Sequence, residues 1–215
     1  AIKDFPHVTT SLFGDYYQWL LNILIIAKEN NSVNWLIKPH PTSYLFGEIG
    51  VVEKLMKKLN VNNVKVLPKN FSTSAIPDLA DIILTVCGTS GLEFACFGIP
   101  VITAGDSFYD SLGFSYNPRN KDEYFDLITD MSKIISKKLT KDEINLARIS
   151  FYFSNKATRI DHPLLTESDI SRKIDLNLFF DQSIDLISKY KEDEDTFKKC
   201  LQIQLANNDR NLTAI

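Results

Sequence analysis

Cysteine is scarce in this chain, an excess of positive charge is missing, and long apolar runs are absent. Each lack closes off a class of function. Three cysteines, Cys87, Cys96 and Cys200, stand among 215 residues, with no C-x-x-C pair and no histidine at zinc-ligand spacing. Neither a disulfide framework nor a zinc finger is therefore available. They read as reduced thiols of a cytosolic protein, Cys87 and Cys96 half-buried in a strand and a helix. A nucleophilic Cys87 lacks any His or Asp placed by the sequence to activate it. Against 27 Asp and Glu there are 24 Lys and Arg, a net charge of −3. That excludes broad nucleic-acid binding but leaves room for one nucleotide held locally. The apolar run Trp19 to Ala27 is too short and too interrupted to span a membrane and reads as a buried helix. Internal repeats, low-complexity tracts and Gly/Ser-rich or Pro-rich linkers are likewise absent. No carboxylate cluster calls for a metal ion.

What is present is the composition of a globular protein: 44% hydrophobic and 24% charged residues, enough for one sizeable core with a helical appendage. The pattern along the chain alternates. A helix is expected over about Tyr16 to Glu29, a strand over Val33 to Ile37 and a helix over about Phe46 to Leu59, with Val51, Val52, Leu55, Met56 and Leu59 apolar. Strands follow at Val64 to Leu67, Ile82 to Val86 and Val101 to Thr103, with a short helix from Leu92 to Phe97 between the last two. Strands separated by helices imply right-handed crossovers and a parallel sheet whose ligand crevice lies at the strand carboxyl ends. Beyond Asn120 the pattern turns helical: Lys121 to Ser136, Lys141 to Phe153, Leu176 to Tyr190 and Phe197 to Leu205. The expected division is a domain over 1–120 and a helical extension over 121–215. The acidic stretch Lys191 to Asp195 reads as solvated surface.

The most informative stretch is Gly88-Thr89-Ser90-Gly91-Leu92-Glu93, between the apolar strand Ile82 to Val86 and the segment Phe94 to Ile102. A helix N-terminus leaves backbone N–H groups unpaired and carries partial positive charge, while Gly88 and Gly91 let the backbone come close to an anion. Thr89 and Ser90 add hydroxyl donors. An ordinary capped strand-to-helix turn has the same composition. The strand Val33 to Ile37 ends in Lys38-Pro39-His40-Pro41, where two prolines stiffen the exit and put His40 on the ligand edge. Imidazole there donates to a phosphate oxygen or carries a proton, or else it caps a loop. Pro68, Lys69 and Ser72 leave another strand on that edge, and Gly105 to Tyr109 a further one. His162, in the polar stretch Arg159 to Pro163, is a second histidine with a weaker claim.

Lys38-Pro39-His40-Pro41, then Thr85-Val86-Cys87-Gly88-Thr89-Ser90-Gly91-Leu92-Glu93, then Gly98-Ile99-Pro100-Val101-Ile102 resemble the capsule polysaccharide biosynthesis family of bacterial glycosyltransferases. In weaker form the resemblance runs from about Phe13-Gly14-Asp15-Tyr16 to Gly105-Asp106-Ser107-Phe108-Tyr109. It implies a Rossmann-like parallel sheet with helices on both faces, one half of a two-domain GT-B fold. It also implies a nucleotide-sugar donor as substrate, a CMP-linked sugar such as CMP-Kdo being favoured, with no separate cofactor. In that frame His40 meets the donor phosphate as the catalytic residue. Lys38 and the Gly88 to Gly91 turn assist it, Glu93 holds a ribose hydroxyl, and Tyr109 contacts the donor sugar. For Glu93 the residues alone allow a first-turn acid that complements the helix dipole. For Tyr109 they allow packing under the loop.

The expected function is donor binding in a glycosyltransferase of capsular or other surface polysaccharide synthesis. The acceptor is a glycan or glycolipid, and the location is cytoplasmic with at most peripheral association with the inner face of the membrane. The chain starts at Ala1 without methionine, and Asp4 to His7 followed by Leu12 to Tyr16 reads as the entry from an amino-terminal domain holding the acceptor site and base. The alternatives are a CDP-polyol phosphotransferase of teichoic-acid type, a sugar-nucleotide epimerase, and a noncatalytic interaction module on the same scaffold.

Overall fold

The computed structural model describes residues 11–40, 43, 47–157, 176–191 and 195–207. Asp4 to His7, Pro41, Phe46 and the stretch Arg159 to Pro163 with His162 lie outside them. The chain divides into two compact units, Ala1–Ser150 and Phe151–Ile215.

In the first unit, α1 (Tyr16–Glu29) has the bounds its sequence predicts, because Asp15 accepts a hydrogen bond from the Gln18 backbone N–H at 2.6 Å and so caps it. Its face of Ile23, Leu24 and Ala27 is buried. Strand β1 (Trp35–Ile37) pairs in parallel with β2 (Val64–Val66), with α2 (Val51–Leu59) between them in sequence. A second parallel set has the order β3 (Ile83–Thr85), β4 (Val101–Thr103) and β5 (Ser115–Tyr116), with α3 (Thr89–Ala95) joining β3 to β4. The two-residue β5 had no apolar run to announce it.

Successive side chains of β3 go to opposite faces, as the pleat requires. Ile82 and Leu84 pack on a large core with Leu24, Leu55, Ile102, Tyr124 and Ile128. Ile83 packs instead on Ile76, Phe94 and Ile99. Helices therefore cover both faces, as in a Rossmann-like α/β fold. The helix expected over Lys121 to Ser136 is two: α4 (Lys121–Thr129), capped by Asn120, and α5 (Ser132–Ser136). Asp130 breaks it, leaving helical backbone at φ −121 and ψ 72 and accepting the Ser132 hydroxyl, a local bond that competes with the helical ladder. Met131 and Ile134 still reach the large core. Helix α6 (Lys141–Tyr152) starts at a capping box. The Glu143 N–H donates to Thr140 Oγ1 at 3.2 Å, and Glu143 Oε2 accepts the Thr140 N–H at 2.7 Å.

The second unit contains a π-helical turn over Phe153–Ala157, α7 (Leu176–Lys189) and α8 (Thr196–Asn207). Within the acidic stretch, Asp195 is not solvated surface: it is buried and accepts the Tyr190 hydroxyl at 2.6 Å and the Lys198 N–H at 2.9 Å. A carboxylate at the start of a helix has backbone donors waiting for it, and that outweighs hydration here. Among the described residues no helix is long and apolar enough to cross a membrane.

Candidate functional site

After β3 come Val86, Cys87 and Gly88, and the chain turns at once into α3. The helix begins at Thr89, earlier than the expected Leu92, with Gly88 as its cap residue in extended conformation. Having no side chain, Gly88 offers no cap of its own, so the first N–H groups of α3 face the edge without one. A side chain at Gly88 would press within 3.3 Å of both Ser90 Oγ and Thr85 Oγ1. Thr89 is exposed, and Ser90 and Glu93 are half-buried on the first turns.

Gly91 is placed differently from the turn position read in the sequence. It lies inside α3, buried, and a Cβ there would collide with the Tyr109 hydroxyl and stand 3.1 Å from Val101 Cγ1. Its lack of a side chain lets the helix close onto Tyr109 and β4.

Tyr109 is entirely buried. Its ring stacks on Phe114 at 5.8 Å and meets Phe108 edge-on at 5.2 Å, while its hydroxyl donates to the Gly88 carbonyl at 2.9 Å. Burial pushes this hydroxyl up to about 12, so it stays a donor. The aromatic that stands out from the β4 exit is its neighbour Phe108, 62% exposed.

The exit loop from β4 is tied down at several points. Gly105 bridges Ser11, and the Leu12 N–H donates to the Ala104 carbonyl at 2.9 Å. Asp110 Oδ2 accepts the Ser107 N–H at 2.7 Å. Asn117, just past β5, donates to Asp110 Oδ1 at 2.6 Å and to the buried Thr103 Oγ1 at 2.8 Å. Burial raises the Asp110 carboxyl, Asp106 adds to this, and the Ser107 hydrogen bonds partly offset it.

Lys38, half-buried, and His40, exposed, stand on the exit from β1. The His40 carbonyl accepts the Ser43 N–H at 3.0 Å. Cys87, past β3, and Glu48, further along the β1 exit, both act on the ionisation of Tyr16. Burial, ahead of the two neighbours, pushes its hydroxyl up to about 12. Burial also raises Cys87, with Tyr16 working in the opposite direction.

Gly88, Thr89, Ser90, Gly91, Glu93 and Tyr109 thus belong to the β3 exit and what packs beneath it, while Lys38 and His40 stand on the separate exit of β1. Pro68, Lys69 and Ser72 are exposed past β2, the Ser72 hydroxyl bonding Ser74 at 2.7 Å. Tyr16, Asp110 and Asn117 were not read as site residues. Only Tyr16 left a trace, closing the stretch Phe13-Gly14-Asp15-Tyr16 where the resemblance begins. Among the described residues, no group of three His, Cys, Asp or Glu side chains converges as metal ligands.

A parallel α/β domain with glycine-shaped strand exits belongs to the class of Rossmann-like domains. The chain belongs to the capsule polysaccharide biosynthesis protein family, whose model matches residues 4–154. The match takes in both motif-bearing exits and runs through α4 to α6, past the resemblance read from Phe13 to Tyr109. Neither the curated proteins nor the solved structures yield a match. Family membership gives the chain a role in surface polysaccharide synthesis.

Proposed function

We propose that the first unit is the donor-binding half of a GT-B glycosyltransferase, taking a nucleotide-linked sugar with a CMP-linked one such as CMP-Kdo favoured. The observation that carries this reading is the family match over residues 4–154, which contains the exits of β1, β3 and β4. An acceptor hydroxyl of a glycan or glycolipid attacks the anomeric carbon. His40 and the amides at the start of α3 meet the nucleotide phosphate as negative charge develops on it, and Lys38 adds a cation. Glu93, on the first turns of α3, accepts the ribose hydroxyls. Tyr109, buried beneath the turn, acts by holding Gly88. The acceptor site and the general base belong to another domain of a longer cytoplasmic enzyme with at most peripheral membrane association.

Thermal shift with CMP, CDP, UDP and GDP at matched concentration, on this chain and on His40→Ala, tests the reading. Ligand that binds only the folded state must raise Tm. A CMP-selective rise lost in His40→Ala is expected. A preference for CDP redirects the assignment toward polyol-phosphate transfer, and no rise with any nucleotide overturns donor binding by this unit.

A further inference from the structure

The exit of β4 carries two adjacent aromatics with opposite fates. Tyr109 is entirely buried, while Phe108 stands out into solvent. A single apolar residue on a surface needs no explanation by itself. What sets Phe108 apart is how firmly its surroundings are fixed. Before it, Gly105 bridges Ser11. After it, Asp110 is gripped from two sides: Oδ2 accepts the Ser107 N–H at 2.7 Å, and Oδ1 accepts the Asn117 side-chain amide at 2.6 Å. That amide also donates to Oγ1 of Thr103, the last residue of β4, at 2.8 Å, and the Asn117 side-chain oxygen accepts the Ser115 hydroxyl at 3.1 Å. The clamp ties the end of β5 to both ends of the loop. A loop so held keeps Phe108 outward, against the gain that burying its ring would bring.

Tyr109 fixes where that ring stands. Its own ring meets Phe108 edge-on at 5.2 Å and 83°, and its hydroxyl donates to the Gly88 carbonyl at 2.9 Å. One side chain thus touches both the exposed ring and the start of α3, at the carboxyl ends of the parallel strands β3 and β4. A phenyl ring offers a π face and no hydrogen-bonding group. The exposed Asp106, two residues earlier, disfavours a phosphate there. The part of a nucleotide that suits such a surface is the flat, uncharged base, which stacks on an aromatic whatever its pattern of donors and acceptors.

We propose that Phe108 is a ligand-contacting residue that stacks on the nucleobase, and that Asn117 is a positioning residue acting through it. This rests on the donor-binding reading. The phosphate is left to the Lys38 and His40 exit and the start of α3.

Dissociation constants for CMP, and for ribose 5-phosphate as a probe without a base, are measured on the full chain. The variants are Phe108→Ala, Phe108→Trp, Asn117→Ala and the double variant Phe108→Ala with Asn117→Ala. Phe108→Ala is expected to weaken CMP at least about fivefold, the low end of what losing a base stack costs. It leaves ribose 5-phosphate binding and the Tm of the unliganded chain unchanged, since the ring is exposed. Phe108→Trp keeps the CMP affinity, and CMP quenches the fluorescence of the new indole. Asn117→Ala weakens CMP in the unaltered chain but adds no further loss in Phe108→Ala, a coupling that a general loss of structure does not produce.

Unchanged CMP affinity in Phe108→Ala, or an indole in Phe108→Trp that CMP does not quench, overturns the contact while leaving donor binding standing. An equal loss for ribose 5-phosphate overturns base stacking. Equal losses for Asn117→Ala in both backgrounds overturn its positioning role. Absence of CMP binding by the unaltered chain removes the donor-binding reading and this inference with it.

Discussion

The exits of β3 and β1 lie on the same domain and are built in opposite ways. Beneath the β3 exit sits a buried tyrosine, a helix glycine that admits it, and a network from Asp110 through Asn117 to Thr103. The β1 exit ends in an exposed histidine between two prolines. One exit is shaped by what lies under it, and the other presents a reactive group outward. Geometry and chemistry are thus divided between separate strands. Substitutions should then damage stability at one exit and ligand response at the other.

The largest expected effect is Tyr109→Ala, which empties a fully buried aromatic site. It should cost about 3–5 kcal/mol in urea unfolding, and a cost near zero would break the comparison. Next comes Gly91→Ala. Its methyl group meets the Tyr109 hydroxyl, so overpacking should cost about 1–3 kcal/mol. The same change in a Tyr109→Phe background should cost less, and a double-mutant cycle without coupling would show that the two do not meet.

A smaller effect should appear at alkaline pH. The Tyr109 hydroxyl is raised from 10.0 to about 12 by burial, so its folded value lies above its unfolded one. Its contribution is complete below pH 10 and is lost as pH rises through 12. Denaturation midpoints across that range should fall less steeply in Tyr109→Phe. Smallest of all is the stability change for His40→Ala, an exposed site, within about 0.5 kcal/mol. If that variant instead unfolds readily, His40 is a structural residue and the division of labour fails.

The sequence was most legible where a local rule sufficed. The Asp15 cap and the apolar spacing of Ile23, Leu24 and Ala27 give α1 its bounds, and the continuous run Val101 to Thr103 gives β4. Local rules failed where tertiary contacts decide. Gly91 looks like a turn glycine, yet its reason is a tyrosine 18 residues further along the chain. Phe108 and Tyr109 are adjacent aromatics sent in opposite directions, and no periodicity tells which is buried. Asn117 carries no motif at all, because its partners, Thr103 and Asp110, are joined only by folding. The motif residues were therefore readable and their supports were not.

The Gly88 carbonyl accepts from two donors, the Tyr109 hydroxyl at 2.9 Å and the Gly91 N–H at 3.1 Å. A trans peptide unit is planar, with its oxygen and the following hydrogen pointing opposite ways. Anchoring the oxygen inward therefore aims the Thr89 amide hydrogen away from the interior. Flipping that peptide would break both bonds at once, so the orientation is set before any ligand arrives. A hydroxyl that solvent never touches thus acts as the lock on an amide that solvent does.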